Sequence, residues 1–182
     1  MDLLGDQAVL RNNALKGKTA LICGASRGIG AATARIMAKS GANLILASRN
    51  ESQLNSWLKD LSELGNGHHQ TLDRDLENTE ASAGCLQPIL DKGPIHILIN
   101  NAGGPPGGPL LDASVDELSQ PFARHLHAAH TLVKLLIPGM IAENYGRIIQ
   151  IISTSVREPI PNLGVSNTCL LYTSPSPRDL RA

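Results

Sequence analysis

Two kinds of hydrophobic pattern alternate along the chain. "TALIC" (Thr19 to Cys23), "NLILAS" (Asn43 to Ser48), "IHILIN" (Ile95 to Asn100) and "GRIIQIIS" (Gly146 to Ser153) are short, nearly continuous apolar runs. Such runs suit strands buried on both faces. A weaker strand is placed in "HHQTLDRDL", residues 68–76. Between them lie longer stretches with helical spacing. Ile29, Ala32, Ile36 and Met37 share a predicted helical face, and Gly41 suits the stop. Leu54, Trp57, Leu58, Leu61 and Leu64 mark a second helix that ends at Gly65. Residues 77–91 read as a third helix. A long helical stretch runs over 115–142, with an interruption expected near Pro121.

Strands that alternate with helices of this length imply right-handed crossovers and a parallel sheet, hence an α/β fold. Composition adds bounds. The 182 residues suffice for one domain with a sizeable core. Apolar residues at 42% and charged residues at 18% exclude a disordered chain. Sixteen basic and sixteen acidic side chains cancel, so neither nucleic acid nor an anionic membrane is expected as the main partner. The apolar runs are too short to span a bilayer, and the first residues lack a signal pattern. Cys23, Cys85 and Cys169 have no CxxC or zinc spacing, so a reduced, cytoplasmic setting is the expectation.

Candidate chemistry begins at "GASRGIG". Gly24, Gly28 and Gly30 stand between a predicted strand and a predicted helix. Glycine there permits a tight turn and close approach of backbone N–H groups to a pyrophosphate, at the positive end of a helix. An ordinary tight turn is the alternative. After the second strand comes "ASRN", where an NAD site usually has an acid for the ribose 2′-hydroxyl. Ser48 and Arg49 stand there instead. Arg49, with Arg27 from the loop, would pair with a 2′-phosphate, which favours NADP(H) over NAD(H). Two solvated surface arginines are the alternative.

Together, "GASRGIG", "ASRN", "RDL" (Arg74 to Leu76), "ILINNAGG" and "GRIIQIIS" resemble the short-chain dehydrogenase/reductase family, in its 3-oxoacyl-carrier-protein-reductase-like branch. The resemblance covers roughly residues 15–168. It implies a doubly wound Rossmann fold with strand order 3-2-1-4-5, whose fifth strand would present an open apolar edge. Carried over by position, Gly24, Ser26, Arg27, Gly28, Ile29 and Gly30 would line the phosphates. Cys23 stands where the family usually has threonine. Asp75 and Leu76 would meet the adenine, and Asn100, Asn101, Ala102 and Gly103 the adenine ribose. The asparagine pair also fits a polar strand end that satisfies backbone groups. The implied partner is a small carbonyl or 3-oxoacyl substrate, with a homo-oligomer expected at full length.

The family's serine, tyrosine and lysine are only partly matched. Ser153 fits the serine position, but thirteen residues on stands Ser166, not tyrosine, and four further Leu170, not lysine. His125 occupies the slot of the family's asparagine. A nucleotide-binding protein without reductase chemistry is therefore the second reading. His125, His127 and His130 suggest a metal, but only the last two share a helical face and no carboxylate is spaced to join them. Tyr172 is nineteen residues past Ser153, outside the catalytic spacing. Its segment, Cys169 to Asp179, reads as the translation of a common transposase sequencing adapter. Residues 169–182 are therefore expected to be a non-native tail that lacks helical period and makes almost no core contacts, leaving 1–168 as an incomplete dinucleotide-binding domain.

Overall fold

The structure, a computed structural model, describes residues 13–73, 79–101 and 103–173. Each apolar run becomes a strand: β1 (Thr19–Cys23), β2 (Asn43–Ser48), β3 (His69–Asp73), β4 (Ile97–Asn100) and β5 (Arg147–Gln150). All four pairings are parallel, and the order is β3-β2-β1-β4-β5, as expected for a doubly wound sheet. The register aligns Leu21 with Ile45 on one side and Leu98 on the other. The central strands are thus apolar on both faces because both faces are covered.

Two cores result. On one face, Ile22, Leu44, Leu46, Ile97 and Ile99 meet Ala34, Met37 and Ala38 of α1 (Gly28–Lys39), and Leu54 and Leu61 of α2 (Glu51–Leu64). On the other, Leu21, Ile45 and Leu98 meet Leu86 of α3 (Thr79–Leu90) and Leu132, Leu136 and Met140 of α5 (Ala128–Ala142). The alternation of strand residues between the cores is the two-residue period of a strand.

The buried face of α1 differs from the expected one. Ala31, Ala34, Met37 and Ala38 face the sheet, while Ile29 is 57% exposed and Ile36 50%. The glycine loop draws the start of α1 close to the sheet, where small side chains fit and isoleucine does not. The long helical stretch divides into α4 (Val115–Pro121), a π-helical turn over Phe122–His127, and α5. Pro121 has no N–H to return to the carbonyl one turn back, and the widened turn follows directly. Ser114 and Glu117 form a capping box that fixes the start of α4.

The chain stays helical past the boundary expected at Thr168. The last helix, α6 (Gly164–Thr173), runs through Cys169, which is 1% exposed. The Asn167 side chain clamps both the N–H and the C=O of Ile160, at 3.3 and 2.9 Å. The Thr168 hydroxyl donates to the Gly164 carbonyl. These local bonds anchor the first half of the helix, which runs to Thr173, short of Pro175 and Pro177 in the sequence. Residues 174–182, and the Tyr172 side chain, lie outside the described part.

Among the described residues β5 pairs only with β4, and all four of its residues are exposed. Two histidines are placed differently. His96 is buried, and its Nδ1 accepts from the Thr19 N–H at 3.0 Å. Its ring packs edge-on to Tyr145, which also carries the Lys18 ammonium at 4.2 Å and the Arg147 guanidinium at 4.8 Å from its centroid. His69, on β3, buries both ring nitrogens without a hydrogen-bond partner among the described residues. Burial first, and Lys18 second at His96, hold both histidines below their ordinary pKa of 6.5. The unfolded chain therefore binds more protons in the window just below 6.5, and stability must fall as pH drops through it. A thermal melt at pH 5.5 should lie below one at pH 7.5. His69→Phe, which removes two unpaired nitrogens and keeps the ring, should shrink that difference. A melting temperature equal at both pH values would contradict this account.

Candidate functional site

In a parallel sheet every strand ends at the same edge, and β1 and β4 diverge there because the chain runs left from β1 and right from β4. Gly24, Asn101 and Ser153 follow the ends of β1, β4 and β5 at this edge, and Asn100 is the last residue of β4. Gly24 turns the chain at φ +62° and Gly28 at φ +57°. A Cβ on Gly24 would sit 2.5 Å from the Asn101 carbonyl oxygen, and one on Gly30 would collide with the Gly24 carbonyl. One on Gly28 would meet nothing within 4 Å. Two glycines thus allow close packing, and the third turns left-handed beside open space.

α1 starts at that space. Its N-cap residue Arg27 is extended and makes no side-chain cap. The first N–H that reaches back into the helix is Ala31, to the Arg27 carbonyl at 3.4 Å, so the earlier first-turn donors lie outside the helical ladder. Open space, free donors and the positive helix end fit the pyrophosphate of a dinucleotide. Arg27 and Ile29 are exposed, and Ser26 is partly buried. The Ser26 carbonyl accepts from Trp57 Nε1 at 3.0 Å, and the Arg35 guanidinium lies 4.2 Å over the Trp57 ring. Trp57 therefore pins the loop from α2. The sequence reading placed it only in a core stripe, although its being the single tryptophan was a usable signal.

After β2, Ser48 Oγ accepts from the Asn50 N–H at 3.3 Å, and Asn50 caps α2 through the Gln53 N–H at 3.1 Å. Arg49 lies exposed between these two anchored residues. Asp75, Leu76 and Ala102 fall outside the described residues. Asn100 is buried and donates to Gln150 Oε1 at 2.7 Å, while its carbonyl accepts from Ile151. Its side chain thus stitches β4 to β5. Asn101 reaches the Gly24 carbonyl at 3.5 Å, and its backbone N–H meets the Cys23 thiol. Burial pushes that thiol up to about 12, against the opposing pull of this N–H, so Cys23 stays protonated at neutral pH. Gly103 is exposed.

Ser153 caps the 3₁₀ turn Thr154–Val156, its Oγ accepting from the Ser155 N–H at 3.1 Å. Ser155 is fully buried, and its hydroxyl has no partner among the described residues. Ser166 sits partly buried on α6, and His125 partly buried on the π turn. His127 and His130 are exposed, and no three metal-ligating side chains converge among the described residues. A cleft of roughly 310 Å³ lies beside α6, lined by Pro105, Gly107, Asp112, Glu117 and Val165 among others. None of the sequence-derived candidates lines it, although Val165 adjoins Ser166. Gly108 joins the Gly/Pro loop to the start of α6 through Asn162 and Gly164.

Residues 18–166 match the short chain dehydrogenase family. Among curated proteins, the chain is 36% identical over 147 residues to the ketoacyl reductase HetN of Nostoc sp., covering 80% of this chain and 51% of HetN. Among solved structures, it superposes on L-sorbose reductase from Gluconobacter frateurii, complexed with NADPH and L-sorbose. That match has a TM-score of 0.83, 27% identity, and coverage of 89% of this chain and 62% of the other. A 7 alpha-hydroxysteroid dehydrogenase complexed with NADH gives a TM-score of 0.81 at 25% identity, covering 88% of this chain and 63% of the other. The chain thus spans between half and two thirds of the length of these relatives. With the ordered motifs, the sheet order and the glycine crossing on one edge, the chain belongs to the short chain dehydrogenase family.

Proposed function

We propose that this chain is the dinucleotide-binding portion of an NADP(H)-dependent oxidoreductase that acts, at the full length of its relatives, on a carbonyl or 3-oxoacyl substrate. The observation that carries this reading is the open space at Gly28, which turns left-handed at the start of α1, where Arg27 makes no side-chain cap. The backbone N–H groups from Gly28 to Gly30 would hold the pyrophosphate, with Ser26 and Arg27 beside it. Asn101 and Gly103 would meet the ribose. A reduced nicotinamide held there supplies hydride. The choice of cofactor rests on Arg49 and Ser48 standing where an acid would favour a 2′-hydroxyl. A small-molecule substrate, a cytoplasmic setting and a homo-oligomer belong to the same proposal.

The residues present handle the proton poorly. Ser153 Oγ accepts from Ser155, which leaves its own O–H to donate to a substrate oxygen. That hydrogen bond orients a carbonyl but does not deliver a proton to a developing alkoxide. Ser166 has the alkyl-alcohol acidity of any serine, and four residues on stands Leu170 rather than a cation. This substitution favours the second reading, a nucleotide-binding protein without reductase chemistry. His125, in the slot of the family's asparagine, is the imidazole that could substitute as the acid.

Trp57 fluorescence reports the glycine loop directly, because the indole bonds Ser26 and is the only one in the chain. NADPH should quench it more tightly than NADH. Arg49→Ala should weaken NADPH about tenfold or more, through one lost charge-assisted pair, and leave NADH nearly unchanged. Equal loss for both would show that Arg49 does not read the 2′-phosphate.

NADPH oxidation with a panel of ketones and 3-oxoacyl thioesters, in a version extended to the relatives' length, should run about 10²–10⁴-fold below a family member with tyrosine and lysine in place. Turnover that survives Ser166→Ala but vanishes in His125→Ala would assign the acid to His125 and overturn the inactive reading.

A further inference from the structure

The peptide groups between β1 and α1 are each held in a set direction. The Gly24 carbonyl accepts from the Asn101 side chain at 3.5 Å, on the β4 side. The Ala25 N–H donates to the Ala47 carbonyl at 3.1 Å, on the β2 side. The peptide that links Ser26 to Arg27 is governed from outside the sheet. Its carbonyl accepts from Trp57 Nε1 at 3.0 Å, so it points at α2. The peptide is trans, so its carbonyl and its N–H point in opposite directions. The Arg27 N–H is thereby turned away from α2. Among the described residues no acceptor meets it. One residue later, Gly28 turns left-handed beside open space.

We propose that Trp57 is a positioning residue for dinucleotide binding: its indole N–H sets the Ser26–Arg27 peptide so that the Arg27 N–H is presented as a donor to the pyrophosphate. This inference rests on the dinucleotide reading and deepens it. Trp57 is well placed for the task because it is itself fixed. Leu54 and Leu61, three residues before it and four after, are fully buried and anchor α2 on the sheet. Asn50 caps the start of that helix through the Gln53 N–H. Arg35 of α1 lies over the indole ring and holds its tilt. Without the indole bond, the Ser26–Arg27 peptide is free to flip by opposite changes in Ser26 ψ and Arg27 φ, which barely move the chain on either side. A flip would turn the carbonyl oxygen toward the phosphate and the donor away from it, so an attraction would become a repulsion. The group that Trp57 orients belongs to the backbone, and NADPH and NADH carry the same pyrophosphate. Trp57 therefore supports both cofactors alike, whereas Arg49 separates them.

Trp57→Phe keeps an aromatic ring beneath Arg35 and removes the N–H donor. The 182-residue chain and this variant are titrated with NADPH and with NADH by calorimetry, below the melting temperature of both proteins. Both cofactors should bind about three- to tenfold more weakly to the variant, the range expected for one lost hydrogen bond, with the ratio of the two affinities unchanged. A role in stability alone would lower the melting temperature and leave both affinities of the folded protein as they were. Amide NMR supplies a second measurement. In the unsubstituted chain the single indole N–H should exchange slowly with solvent, and the Arg27 amide proton should move downfield when NADPH is added. That shift should shrink in Trp57→Phe. Equal affinities in variant and parent overturn the proposal. So does a loss confined to NADPH, which would place Trp57 with Arg49 in reading the 2′-phosphate. An indole N–H that exchanges as fast as free tryptophan overturns it even where Trp57→Phe fails to fold. An unsubstituted chain that binds neither cofactor refutes the dinucleotide reading itself, whereas one that binds both, with Trp57→Phe binding as tightly, refutes the tether alone.

Discussion

Everything at the candidate site depends on one close crossing, the Gly24 backbone beneath Asn101. Any side chain at Gly24 would strike the Asn101 carbonyl, and any at Gly30 would strike Gly24. Because both are absent, the loop after β1 lies flat against the end of β4, and α1 begins almost on the sheet. The alanine-rich underside of α1 follows from that proximity, as does the displacement of Ile29 and Ile36 to the outer face. Trp57 then holds the loop from α2, and Asn100 holds β5 to β4. The phosphate-sized opening at Gly28 is what remains when these contacts are satisfied.

The sheet was legible because strands buried on both faces leave an unmistakable mark. "TALIC", "NLILAS" and "IHILIN" have no polar alternation, and the structure buries them on both sides. Element type followed from run length and strand order from the family motifs. Helix phase was less legible. A stripe of Ile29, Ala32, Ile36 and Met37 counts as an apolar face by periodicity alone. Which apolar face is buried is decided by how near the neighbouring backbone lies, which depends on contacts with residues far along the chain. The extent of α6 was also not legible, since "CLLYT" has little amphipathic period, and the Asn167 clamp on Ile160 and the Thr168 hydroxyl on Gly164 anchor the helix before it.

At the site, the glycines could be read because their spacing carries a steric meaning that one sequence shows. The structure supplied the Trp57 tether, the Asn100–Gln150 stitch and the buried Ser155 hydroxyl, none of which has a local signature. Asn100 illustrates the difficulty. Its side-chain amide donates to Gln150 Oε1, a partner 50 residues along the chain that no local pattern shows. Asn101, one residue on, faces the glycine loop instead.

The widened turn at Phe122–His127 has a consequence for residue counting. A π turn accommodates roughly one residue more than an α-helical turn, and one residue is worth about 100° of rotation around a helix axis. The two halves of the long helix are therefore out of phase by that angle. Positions that would share a stripe in a continuous helix point to different sides when the widened turn at Phe122–His127 lies between them. Leu132, Leu136 and Met140 pack against the sheet, whereas Val115, before the slip, is exposed, although the chain between them never leaves the helical region. His125 sits inside the slip itself. Its direction is set by the turn rather than by the period of either flanking helix, so two relatives that differ by a single inserted residue at this point would present different side chains to the same place in space.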